Sequence, residues 1–89
     1  MKKIKRYDPD TTPAIICENI KRLRLANDWT QAELSDKSDI SESYITKIER
    51  KIKNLQSSTV AAFAEAFDVP VDVLYTKYHP KNEEQSPSN

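Results

Sequence analysis

Thr30-Gln31-Ala32-Glu33-Leu34-Ser35-Asp36-Lys37-Ser38-Asp39-Ile40-Ser41-Glu42-Ser43-Tyr44-Ile45-Thr46-Lys47-Ile48-Glu49-Arg50 reads as two short helices broken by a turn. Its first four residues have the form of a capping box, in which a threonine hydroxyl and a glutamate carboxylate satisfy free backbone N–H groups at a helix start. The helix opened there runs to about Lys37, and only Ser38 to Ile40 separate it from the next. Ser41 caps that second helix, which carries Tyr44, Ile45 and Ile48, and Ile40 just before the cap is placed to pack back onto a core. Leu34, Ile40, Ile45 and Ile48 hold the pair together, while the small Ser35 lets the helices approach closely. Two short helices joined by so brief a turn form a helix-turn-helix unit, the second helix presenting polar residues on its outer face.

Upstream, Thr12 followed by Pro13 opens a helix, since proline at the first helical position lacks an N–H that would have no partner there. Ile16, Ile20 and Leu23 form its apolar stripe. Downstream, the polar stretch Lys51 to Gln56 leads to Ser57 or Ser58 as the cap of another helix, whose Val60, Phe63, Ala64 and Phe67 recur at helical spacing. Asp68-Val69-Pro70 then turns the chain into a last short helix presenting Val71, Leu74 and Tyr75. No strand-like alternation competes with this pattern, so the expected fold is all-α, a compact five-helix bundle. The chain divides into a basic flexible arm (residues 1–12), a folded domain (13–76) and a flexible polar tail (77–89) in which Glu83, Glu84, Ser86, Pro87 and Ser88 have the composition of disorder.

A chain of 89 residues with no glycine and one cysteine suits a single small domain and argues against a deep catalytic pocket. A domain this small buries only about 60% of its unfolded surface, which favours dimerisation. No apolar run approaches the ~20 residues of a membrane span, and the stretch Val69 to Leu74 is broken by Pro70 and Asp72. Met1 to Arg6 leads into Tyr7, Asp8 and Pro9 rather than an apolar core, so neither a membrane nor a secretory route is expected, and the cytoplasm is. Cys17 has no nearby nucleophile-activating pattern and reads as a half-buried helical thiol; His79, beside Pro80, reads as solvated. No catalytic residue, metal or cofactor is expected. Net charge is zero, but residues 2–24 carry seven bases against three acids, residues 47–53 carry four against one, and from Glu65 onward five acids face two bases. A basic side and an acidic side follow, or else a mixed solvated surface.

From Ile16 to Tyr75 the chain resembles the Cro and phage-repressor (XRE-type) helix-turn-helix regulators, on Thr30-Gln31-Ala32-Glu33-Leu34 and on the run Ile40 to Arg50. The resemblance implies a lambda-repressor-like DNA-binding domain whose partner is double-stranded DNA, with the helix after Ser41 in the major groove. Glu42, Ser43, Thr46 and Lys47 would then face the bases: lysine donates to guanine, glutamate accepts from cytosine, and serine and threonine do either. Gln31 at a helix start, and Arg50, Lys51, Lys53 and Asn54 after the reader helix, would meet phosphates. Tyr44 could touch a phosphate or a base edge, or lie across the outside of the bundle. Lys2, Lys3, Lys5 and Arg6 are either a minor-groove arm or a solubilising tail. The resemblance also implies an ion pair between Arg24 and Glu49, joining the ends of the first and third helices; Trp29 reads as core between the first two helices and not as a base-stacking platform.

The family commonly has glycine where this chain has Asp28, Asp39, Lys51 and Asp68, at turns that often require a positive φ. Aspartate tolerates that conformation better than most residues, which leaves Lys51 as the costly replacement. Ser38 stands where the family prefers a small apolar residue, so a looser or more solvated site is expected there. Because one reader helix touches few base pairs, a homodimer on a palindromic operator is expected, with Val71, Val73 and Tyr75 at the dimer interface. Control would then act through concentration, autoregulation or a partner, as in phage switches and restriction-modification controllers. The competing reading is an antitoxin or co-regulator working through protein–protein binding, favoured by the acidic C-terminal half with Tyr75, Lys77, Tyr78 and His79.

Overall fold

The computed structural model describes residues 12–51 and 55–78 as five helices: α1 (Thr12–Ala26), α2 (Gln31–Ser38), α3 (Glu42–Glu49), α4 (Ser57–Phe67) and α5 (Val71–Tyr75). The arm residues 1–11, residues 52–54 with Lys53 and Asn54, and the tail residues 79–89 with His79 lie outside the described residues. α1 packs on α3, α4 and α5, α2 on α3 and α4, and α4 on α5, so all five helices surround one core. Ile16 and Ile20 of α1, Leu34 of α2, Ile45 and Ile48 of α3, Val60 and Phe63 of α4 and Leu74 of α5 meet there, each buried. The fold is the expected all-α five-helix bundle of lambda-repressor-like form. Cys17, expected half-buried, is only 1% exposed, because it lies one position past Ile16 on the face that α1 turns inward.

The first four helices end by backbone geometry that glycine ordinarily supplies, whereas α5 ends at the extended Thr76. Asp28 (φ 62°), Asp39 (φ 63°), Lys51 (φ 68°) and Asp68 (φ 60°) are all left-handed. At Asp28 and Asp68 the turn is closed twice. Asp28 N–H donates to the Leu25 carbonyl and Trp29 N–H to that of Arg24, while Asp68 N–H donates to Glu65 and Val69 N–H to Ala64. Ser38 is the last residue of α2 rather than the first of the turn, and it is buried, not solvated: its hydroxyl donates to the Leu34 carbonyl at 2.8 Å and accepts from Ile40 N–H at 3.2 Å. Neither Ser57 nor Ser58 caps α4, since Gln56 holds the cap position and makes no side-chain capping bond. Trp29 is half-buried against α4 instead of enclosed between α1 and α2. Its ring stacks on Phe67 at 5.6 Å, and the Lys37 ammonium lies 4.8 Å over it.

One polar residue of the core escaped the sequence reading. Asn19 is 2% exposed, and its Nδ2 donates to the Leu74 carbonyl at 2.8 Å, the Thr76 carbonyl at 2.9 Å and the Val73 carbonyl at 3.3 Å. It thus caps the C-terminal end of α5, whose carbonyls have no intrahelical partners. Its Oδ1 accepts from Arg22, whose guanidinium also lies 3.9 Å over the Tyr78 ring, so the chain past α5 is drawn against α1.

Candidate nucleic-acid interface

Both starts of the helix-turn-helix unit are capped by side chains. Glu33 N–H donates to Thr30 Oγ1 at 3.0 Å and Thr30 N–H returns the bond to Glu33 Oε1 at 2.8 Å, completing the box at the head of α2. Ser41 Oγ accepts from Tyr44 N–H at 3.2 Å at the head of α3. Leu34, Ile45 and Ile48 bury the inner faces of the two helices, which leaves Glu42, Ser43 and Lys47 exposed along the outer side of α3 and Thr46 half-buried beside them.

A chain of polar contacts ties that outer side to α1. Arg24 in the last turn of α1 forks the Glu49 carboxylate, with Nε 2.7 Å from Oε2 and Nη2 3.0 Å from Oε1. Its remaining arm, Nη1, donates to the Trp29 carbonyl at 2.8 Å, so one guanidinium holds the end of α1, the following turn and the end of α3. The two side chains are only 12% and 7% exposed, which makes this bidentate pair unlike an ordinary surface contact. Gln31 Nε2 donates to Glu49 Oε1 at 3.0 Å, and Gln31 Oε1 accepts from the Thr46 hydroxyl at 2.9 Å. Thr46 Oγ1 also lies 3.1 Å from the Glu42 carbonyl.

Several residues therefore sit differently from a free surface contact. Gln31, expected to offer its amide to phosphate, has one amide hydrogen on Glu49 and its oxygen on Thr46, leaving the second amide hydrogen to point elsewhere. Tyr44 is half-buried against the core. Lys51 Nζ is 2.9 Å from Glu18 Oε2, in a pair whose side chains are 52% and 56% exposed. Arg50, Lys47 and Lys21 are exposed. The basic region is accordingly smaller than the sequence count suggests, because Arg22, Arg24 and Lys51 are each engaged within the molecule. In the sequence Glu18 is only one of the three acids of residues 2–24, and nothing in its neighbours points to Lys51. Asn19 did carry a signal, since it interrupts the apolar register between Ile16 and Ile20.

Among the described residues no group of three or more His, Cys, Asp or Glu side chains could hold a metal ion, and no helix is long and apolar enough to cross a membrane. Val71 of α5 is 40% exposed, with Val73 and Tyr75 half-buried beside it and Tyr75 packed on the core.

A family model described as helix-turn-helix matches residues 20–74. The control protein C.SmaI of Serratia marcescens is 34% identical over 70 residues, covering 79% of this chain and 83% of that protein. The immunity repressor protein of Bacillus phage phi105 is 33% identical over 72 residues, covering 81% of this chain but half of the relative. Among solved structures, a hypothetical transcription factor, NHTF, from Neisseria superposes with a TM-score of 0.74 over 96% of this chain and 98% of its own, at 21% identity, a likeness of fold.

Proposed function

The chain belongs to the helix-turn-helix family, of the Cro and phage-repressor type, a family of DNA-binding regulators, and from that premise we propose that it is a sequence-specific transcriptional regulator. In this reading a homodimer binds a palindromic operator with α3 of each subunit in the major groove. Glu42, Ser43, Thr46 and Lys47 read base edges, while Gln31, Arg50 and Lys51, with Lys53 and Asn54 beyond them, meet phosphates. The observation that carries it is the polar outer face of α3 held in place by the Arg24–Glu49–Gln31–Thr46 network. Such a network holds the outer face of α3 in one geometry, which suits a helix that docks as a rigid body. The names of two relatives, one a control protein and the other an immunity repressor, support a regulatory role.

Selection of bound duplexes from a random pool tests the proposal. The expected result is an inverted repeat with half-site centres about one helical turn apart. Affinity for it should fall with salt at a log–log slope of several units, about 0.9 for each phosphate neutralised. A pool that yields no consensus, together with salt-independent binding, would overturn the DNA reading in favour of a protein partner.

A further inference from the structure

We infer that the network behind α3 fixes the polarity of Thr46, so that its hydroxyl faces DNA only as an acceptor and selects an amino base, adenine or cytosine, over a keto base, guanine or thymine. This rests on the DNA-binding reading above and adds to it a chemical identity for one operator position. Arg24 has only donors and forks the Glu49 carboxylate with two of them. A carboxylate gripped in this way accepts and cannot donate, so the Gln31 amide must turn its nitrogen toward Glu49 Oε1, at 3.0 Å. The flipped amide would set two oxygens against each other. With its nitrogen committed, Gln31 presents Oε1 to Thr46, at 2.9 Å, and an amide oxygen can only accept.

Thr46 has one hydroxyl proton. Its second neighbour within the protein, the Glu42 carbonyl at 3.1 Å, is also an acceptor, so the proton is taken on the protein side whichever of the two oxygens holds it. What remains to face outward is lone pairs. In the major groove adenine N6 and cytosine N4 donate, whereas guanine O6 and thymine O4 accept and would meet those lone pairs unfavourably. A threonine free in solution reads either class by rotating its hydroxyl; this one cannot. Gln31 and Glu49 are thus positioning residues that set specificity without touching a base.

The test measures wild-type protein, Thr46→Val and Thr46→Ser against the selected operator and against operators carrying each alternative base at every half-site position. One position is expected where an amino base is preferred over a keto base by about fivefold for each half-site changed, the range of one neutral hydrogen bond. That preference should vanish in Thr46→Val, which keeps the shape and methyl group, and persist in Thr46→Ser. Wild-type protein supplies an independent arm if the valine variant folds poorly. Replacing the selected adenine by purine, or the cytosine by pyrimidin-2-one, deletes only the amino group and should cost the same factor. A keto base at the position sensitive to Thr46→Val, no position sensitive to it, or indifference to loss of the amino group each overturns the inference while leaving sequence-specific binding intact. A wild-type protein with no consensus site overturns both readings together.

Discussion

Lys51 shows what one residue contributes when its backbone and its side chain have opposite preferences. Its φ of 68° is one that a side chain with a Cβ enters at a penalty of roughly 1–2 kcal/mol, less for aspartate, whose short polar group bonds locally. Its ammonium partly offsets this by pairing with Glu18, but the pair is more than half exposed and contributes at most a few tenths of a kcal/mol after screening. Lys51→Gly is therefore expected to stabilise the fold by about 0.5–1 kcal/mol, the relief of strain exceeding the added flexibility of the unfolded chain. Asp28→Gly, at the same conformation, is expected to be near neutral. Urea unfolding of the two variants checks this, and equal responses would contradict it. If Lys51 also meets phosphate, the same glycine variant binds DNA more weakly even as it becomes more stable.

Between elements, two polar contacts replace the apolar area that such short helices lack. Arg24 and Glu49 join α1 to α3, and both are largely desolvated, so removing one strands the other. A double-mutant cycle of Arg24→Met, Glu49→Leu and the pair should show a coupling of about 2 kcal/mol, above the ~0.2–1 kcal/mol of an exposed pair. A coupling near zero would mean that the Trp29 carbonyl and Gln31 alone satisfy the two charges. Asn19 joins α1 to α5 in a similar way. α5 has five residues and one fully buried side chain, Leu74, too little to hold it by itself. Asn19→Ala uncaps its last carbonyls and should cost about 2–3 kcal/mol. Amide exchange is the sharper measurement, because protection should fall first in α5 and leave α2 and α3 unchanged; uniform loss over all helices would show that α5 does not open separately.

At the scale of the whole molecule, one core serves five helices and leaves a part of α5 uncovered. Val71 is 40% exposed on the helix proposed as the dimer surface, and two-fold pairing there would bury it. Val71→Asp should raise the dimer dissociation constant by tenfold or more, read by sedimentation at several concentrations, with helical content and unfolding little changed because the side chain is not in the core. Unchanged self-association would move the dimer surface elsewhere, the exposed Leu25 at the end of α1 being the next apolar candidate. The same variant should bind an isolated half-site as the wild type does and lose affinity for the full palindrome.

Most of the architecture was legible in the chain itself because the signals that start and stop helices act within a few residues. The capping box at Thr30 and Glu33, the Ser41 cap and the stripes ending at Leu23, Ile48 and Phe67 each involve neighbours along a single helix. The left-handed turns at Asp28, Asp39, Lys51 and Asp68 were legible through the resemblance, for the backbone bends the same way where glycine is absent. Local signals were also where small errors arose: Ser57 and Ser58 offer a cap by residue type, yet the approach of the chain leaves Gln56 in that position. Contacts between distant residues depend on how helices cross, and no spacing along the chain encodes that. Asn19 reaches Leu74 across 55 residues, Lys51 reaches Glu18 across 33, and Gln31 reaches Glu49 across 18. Residue type alone made Gln31 and Thr46 two separate DNA contacts. Only the tertiary structure joined them through Glu49 to Arg24, because the direction of a hydrogen bond is decided by the partner that cannot turn, and that partner lies on another helix.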